Sequence, residues 1–317
     1  MIQTKKLVKR YGSFTAVREI DLSIPAGEIY GFLGPNGAGK TSTIMMLLGV
    51  TRPTSGDIFL FGERATPGRL DLRTRIGVVP EKHPRGIWPW MSAEEYLRFF
   101  AELFRIPDPR GRIRTLLEKV DLASVAGKRV REFSRGMLQK LSITRALLAD
   151  PDLLLLDEPI SGLDPIGIKQ VRDLIVSENR EGRTIFISSH QLSEMERICH
   201  RVGIISRGRL VAEDNMQALL SRISKDREIH VELGAIPQGL TARLGSLPFV
   251  LECTVDGNTL MIKVPKEGDF RGPVSEFLIG QHLVPLRIQE RTVSLEEAFI
   301  TITQENVERL ASEGAPA

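Results

Sequence analysis

The apolar residues of this 317-residue chain fall into short blocks that alternate with longer amphipathic stretches. The blocks, rich in Ile, Val, Leu and Phe, predict strands over 2–8, 16–24, 28–33, 57–60 and 76–79. Tyr11, Gly12 and Ser13 form the turn between the first two, which places Tyr11 beside a sheet. From Ser92 to about Val130 the period lengthens to that of helices, with Leu97, Phe100, Leu116, Leu117 and Val120 on apolar faces. A further helix is expected over 137–148, directly after Ser134 and Gly136. Leu153 to Leu156 reads as a buried central strand that ends in two carboxylates, Asp157 and Glu158. A helix over 165–179, a strand over 184–188 running on to His190, and a strand over 209–214 continue the alternation that a parallel α/β sheet demands.

Past a charged helical connector over 215–224 the pattern changes. Strands over 229–233, 250–255, 259–264 and 286–288, with helical stretches near Leu240 and over 274–279, give the order β-α-β-β-α-β of a small ferredoxin-like α+β fold. The expected organisation is an α/β domain over 1–220 with a helical subdomain inserted at about 92–150, a C-terminal accessory domain over 221–302, and a flexible tail over 303–317.

The strongest chemical signal lies between the third strand and the first helix, where Gly31 to Thr43 reads G-F-L-G-P-N-G-A-G-K-T-S-T. Glycines at 34, 37 and 39 let the backbone turn tightly, so that successive amides converge on phosphate oxygens at a helix N-terminus. Lys40 can reach the β- and γ-phosphates, and the Thr41 hydroxyl can ligate Mg²⁺. The expected nucleotide-binding loop is Gly34, Pro35, Asn36, Gly37, Ala38, Gly39, Lys40, Thr41 and Ser42.

With 42% hydrophobic and 26% charged residues, the chain has the composition of a globular protein rather than a disordered one. Its formal charge of +3 is dispersed, which argues against a nucleic-acid footprint and is compatible with a membrane surface or an acidic partner. Cys199 and Cys253, far apart in sequence, suggest neither a disulfide framework nor a metal cluster and fit a reducing cytosol. The N-terminal stretch lacks the apolar core of a secretory signal, and no apolar run reaches bilayer length, so a chain soluble by itself is expected.

Four further motifs follow the phosphate loop in order: F-S-R-G-M at Phe133 to Met137, L-L-L-L-D-E-P at Leu153 to Pro159, S-G-L-D at Ser161 to Asp164, and the lone His190. Together they resemble the ATPase subunits of ATP-binding cassette (ABC) transporters over roughly residues 1–220. The resemblance implies a P-loop NTPase fold with ATP and Mg²⁺ as cofactors. It casts Glu158 as the group that orients or deprotonates water, and Asp157 as a holder of the metal. His190 would contact the γ-phosphate and help fix Glu158, and Tyr11 would stack on adenine. In this family the signature loop, Ser134 to Gly136, sits on the nucleotide of the opposite subunit, and Asp164 belongs to the adjoining D-loop. A homodimer, or a pair with a related ATPase subunit, is therefore implied. Asp164 also reads as the N-cap of the helix that starts near Pro165.

Two motifs depart from the family pattern. The signature reads F-S-R-G-M where L-S-G-G-Q is commonest, and V-V-P-E puts Glu81 where glutamine is usual. A carboxylate at 81 can still accept from Mg²⁺-bound water, while adding negative charge beside the triphosphate. These departures, with the ending S-L-E-E-A-F-I at Ser294 to Ile300, resemble the branch that serves separate membrane subunits of drug-, antibiotic- or polysaccharide-type exporters. The implied partners are integral-membrane permease subunits, and the implied location is the inner face of the cell membrane.

Cassettes that act on ribosomes or DNA usually carry two copies in one chain or a long coiled-coil insertion, and this sequence has neither. The C-terminal segment offers no polar constellation for a regulatory ligand, which favours a dimer-supporting or partner-docking role. Arg129, Arg131 and Arg135 read as a solvated face. Trp88 and Trp90, kept out of regular structure by Pro84 and Pro89, are expected either to anchor a membrane subunit or to pack inside the helical subdomain.

Overall fold

The computed structural model describes residues 1–81, 89–223, 226–291 and 294–302, and the chain divides into two units, one on Met1–Met216 and one on Gln217–Gln304. The first opens with β1 (Ile2–Tyr11), β2 (Phe14–Ile24) and β3 (Ile29–Leu33), then α1 (Lys40–Leu47), β4 (Ser55–Leu60), β5 (Glu63–Arg64), α2 (Leu70–Thr74) and β6 (Ile76–Val79). Helices α3 (Ala93–Leu103), α4 (Pro109–Lys119) and α5 (Arg135–Leu147) follow. After them come β7 (Leu153–Asp157), α6 (Pro165–Arg180), β8 (Thr184–Ser189), α7 (Leu192–Glu196), β9 (Arg201–Ser206) and β10 (Arg209–Asn215).

These strands form two sheets rather than one. β2-β1-β4-β5 is antiparallel throughout, and the tight turn at Gly12 and Ser13 allows β1 and β2 no other pairing. The second sheet runs β10-β9-β3-β8-β7-β6; all its pairs are parallel except β10 on β9. Its central strands β3, β7 and β8 are buried along their whole length, as the unbroken leucine run of β7 requires of that strand. One core joins the two sheets through α1: Ile2, Leu7 and Ile20 on the antiparallel side, Ile44 and Leu47 on the helix, and Tyr30, Phe32 and Phe186 on the parallel side. The Phe186 ring lies 5.7 Å from Tyr30 and 5.3 Å from Phe32.

Two sequence-based expectations change. β9 was not anticipated: its apolar run is short and broken by Gly203, and only pairing with β3 fixes it as a strand. The helix expected from Met137 begins at Arg135, because Ser134 accepts a hydrogen bond from Met137 N at 3.2 Å and caps it. The first unit ends at Met216, whose N donates to His200 O at 3.1 Å within it.

The second unit carries α8 (Met216–Ile223), which begins at the last residue of the first. It continues with β11 (Asp226–Glu232), α9 (Leu240–Gly245), β12 (Glu252–Asp256), β13 (Thr259–Pro265), α10 (Arg271–Gly280) and β14 (Arg287–Arg291). Its sheet order, β12-β13-β11-β14 with every pair antiparallel, is that of a ferredoxin-like split β-α-β arrangement. Ile229, Val231, Leu260 and Ile262 on one sheet face pack against Leu240, Leu244, Val274 and Leu278 of the helices. A last helix over 295–302 starts at Ser294, whose hydroxyl accepts from Glu297 N at 3.2 Å while the Glu297 carboxylate accepts from Ser294 N at 3.3 Å. No helix among the described residues is long and apolar enough to cross a membrane.

Candidate nucleotide site

Strands β3, β8 and β7 lie side by side, so their carboxyl ends open on one edge of the parallel sheet, where α/β folds bind ligands. β3 leads into the phosphate loop, β8 to His190 and β7 to Glu158.

The three loop glycines are needed for different reasons. Gly37 and Gly39 have φ of +79° and +111°, a region that a β-carbon disfavours. Gly34 lacks such a torsion; a β-carbon there would collide with the carbonyl oxygen of Ile205 on β9. α1 starts without a side-chain cap, so the amides of its first turn remain available to an anion.

Lys40 is nearly buried and donates to the carbonyls of Gly34 at 2.8 Å and Pro35 at 3.3 Å. Its ammonium also lies 3.2 Å from Oε1 of Glu158, whose other oxygen, Oε2, accepts from Nδ1 of His190 at 2.8 Å. The Glu158 carboxylate therefore bridges the phosphate loop and the end of β8. Glu158 itself has φ of +50°, a conformation over-determined by Ser188, whose carbonyl and hydroxyl both accept from Glu158 N at 3.1 Å. The Ser188 hydroxyl in turn donates to Asp157 Oδ1, so one serine holds the Asp157 carboxylate and the Glu158 backbone at the end of β7.

A cleft of about 560 Å³ opens over these groups. Of the sequence-predicted residues it collects Tyr11, Asn36, Gly37, Gly39, Lys40, Thr41, Ser42, Glu81, Glu158 and His190. Gly34, Pro35 and Ala38 are not among its lining residues, and Asp157 is buried. Thr41, Asp157 and Glu81 offer hard oxygen donors of the kind Mg²⁺ takes. Ser134, Gly136 and Asp164 are not brought to this cleft; Asp164 accepts from Gly167 N at 2.8 Å and caps α6. Trp90 is 62% exposed, which disfavours packing inside the helical subdomain, and Trp88 lies outside the described residues.

Sequence reasoning did not single out Phe14 or Ser188, and it named Ser161 only as the first residue of the S-G-L-D motif. Phe14 pairs with Tyr11 across the β1–β2 turn, and both rings are exposed on the cleft wall. The alternation of an aromatic at each end of a two-residue turn was its signal. Ser161 lines the cleft from the turn after Glu158. Ser188 carried a weaker signal, a hydroxyl next to the apolar run Ile185 to Ile187 in a buried strand, which needs a partner there.

Fold and site define a P-loop ATPase cassette. The ABC transporter family model matches residues 17–161. The chain is 39% identical to the bacitracin transport ATP-binding protein BcrA of Bacillus licheniformis, over 95% of this chain and 97% of that one. It is 34% identical to the Nod factor export ATP-binding protein I of Cupriavidus pinatubonensis, over 96% of this chain and 90% of that one. Among solved structures, cbiO1 from Clostridium perfringens, part of the ABC transporter complex cbiONQ, superposes with a TM-score of 0.64 at 26% identity, over 69% of this chain and 90% of that one. The chain belongs to the ABC transporter family, as one of its ATP-binding, ATP-hydrolysing subunits.

Proposed function

We propose that this subunit powers an exporter of the antibiotic-efflux type, hydrolysing ATP to drive separately encoded membrane permease subunits. The observation that carries the reading is the Glu158 carboxylate, held between Lys40 and His190 at the wall of the cleft. The names of the relatives, bacitracin transport and Nod factor export, support export as the direction.

In this reading the loop amides and Lys40 take the β- and γ-phosphates, and Tyr11, joined by Phe14, holds the adenine ring. Hydrolysis needs an in-line water and neutralised phosphate charge more than covalent chemistry. Glu158 orients or deprotonates that water, and His190 keeps the carboxylate turned toward the γ-phosphate. Thr41 and Asp157, with Glu81 beside them, would hold Mg²⁺, which would supply neutralisation of phosphate charge. Ser134 and Gly136, at the N-terminus of α5, face the nucleotide of a second cassette, with Asp164 shaping the adjoining loop. The working unit is thus a homodimer or a pair with a related ATPase subunit, on the cytoplasmic face of the membrane.

The test is a pair of variants in the transporter assembled with its permease. Glu158→Gln should bind ATP with near-normal affinity, hydrolyse it at least 100-fold more slowly and abolish efflux. Lys40→Ala should instead lose affinity, by about 10- to 100-fold for a charged contact. Near-normal turnover by the glutamine variant would overturn the reading.

A further inference from the structure

Arg135, the residue standing where the commonest family signature has glycine, lies against the turn that follows Glu158. A β-carbon on Gly162 would collide with the Arg135 guanidinium, so the side chain rests directly on the Gly162 backbone. Gly162 has φ of +67°, and Ser161 N donates to Glu158 O at 3.1 Å, which closes 158–161 into one tight turn. That turn carries Ser161 into the cleft.

Two further facts make the arginine conspicuous. It is the first residue of α5, where the helix dipole disfavours a cation, and the first turn of α5 contains no acidic residue to compensate. Among the described residues no carboxylate forms an ion pair with it. Local electrostatics thus argue against arginine here, and such a conflict is expected where function sets the residue.

We propose that Arg135 is a positioning residue for ATP hydrolysis: by packing on Gly162 it holds the 158–162 turn, and so fixes the direction in which Glu158 presents its carboxylate. The glycine at 162 is then the complement of the arginine, since any side chain there would push the guanidinium off the turn. This inference rests on Glu158 being the residue that activates water. Contacts to phosphate fall to Lys40, the loop after β3 and, from a second cassette, Ser134 and Gly136; Arg135 takes none of them, so loss of its contact with Gly162 acts on the chemical step and leaves nucleotide affinity near normal.

The experiment measures MgATP hydrolysis and ATP binding by the full chain assembled with its permease, in Arg135→Ala, Arg135→Lys, Gly162→Ala and the double variant R135A/G162A, with Glu158→Gln beside them. Arg135→Ala should lower kcat by roughly 10- to 100-fold, the cost of a small misplacement of a reacting group, with KM for ATP within twofold and thermal stability unchanged. Arg135→Lys should recover part of the loss. Gly162→Ala should reproduce it, and the double variant should fall no further than Gly162→Ala alone, because the contact is already broken. A wild-type kcat in Arg135→Ala, a KM that moves with kcat, or losses that multiply in the double variant would each overturn the proposal. If Glu158→Gln keeps its turnover, the reading of Glu158 fails first; if it is inactive while Arg135→Ala is normal, only the Arg135 proposal falls.

Discussion

Glu158 Oε2 and His190 Nδ1 meet at 2.8 Å across the ends of adjacent strands β7 and β8. The pair is lopsided: the glutamate side chain is 6% exposed and the histidine 42%. The buried partner is held by the Ser188 contacts and by Lys40, whereas the histidine can be removed without opening the core. Truncation at His190 should therefore separate orientation of the carboxylate from integrity of the fold. His190→Ala is expected to lower ATP turnover at least tenfold while leaving the melting temperature and ATP affinity near those of the parent, measured by steady-state ATPase kinetics and thermal unfolding. A large drop in melting temperature would place His190 in the structural frame instead.

The different roles of the glycines predict different costs. Gly34→Ala forces a methyl group into the Ile205 carbonyl and should destabilise the first unit by about 1–3 kcal/mol, as overpacking does. Gly182→Ala, whose methyl would meet only open space at φ of +98°, should cost no more than about 1–2 kcal/mol of backbone strain. Denaturant titration of both variants checks the ranking, and a lower midpoint for Gly182→Ala than for Gly34→Ala would contradict it.

Trp90 exposes 62% of its surface, so its ring stabilises little within this chain. Trp90→Ala should change stability by less than about 0.5 kcal/mol, the range of ordinary surface positions. If the ring is an anchor for the permease, co-purification and coupled transport should both weaken, because exposed aromatics dominate such interfaces. Full co-purification of the alanine variant would remove Trp90 from the docking surface.

Cys199 packs against Gly31 on β3, where an added β-carbon would lie 2.8 Å from its sulfur, and burial pushes its thiol well above the usual range. Burial and the neighbouring Glu213 carboxylate push the Tyr30 phenol up in the same region. In the unfolded chain both groups ionise at ordinary values, so above about pH 8.5 the unfolded state loses protons that the folded state keeps. Stability is full below that pH and declines as pH rises beyond it. Cys199→Ala should flatten the early part of this alkaline decline in chemical-denaturation curves. In the native protein at pH 8, a thiol reagent should label the half-buried Cys253 and reach Cys199 only on unfolding.

Much of the first unit was legible because its signals are local. An unbroken apolar run such as Leu153 to Leu156 has only one comfortable place, the middle of a parallel sheet, and glycines spaced before Lys40 and Thr41 imply a phosphate turn without reference to the rest of the chain. The β-α-β-β-α-β order of the second unit was legible for the same reason. The separation of the strands into two sheets, and the existence of β9, depended on pairing between residues far apart, which period and composition do not encode. Tertiary structure alone decided that Gly34 must be glycine because of Ile205, that Ser188 would hold both Asp157 and Glu158, and that Arg135 would rest on Gly162. Each of these is a short-range contact between segments brought together by chain reversal. The physical reason for the divide is that sequence fixes a residue's chemistry and its local conformational preference, whereas hydrogen bonds and steric limits act through distances that exist only after the sheet has closed.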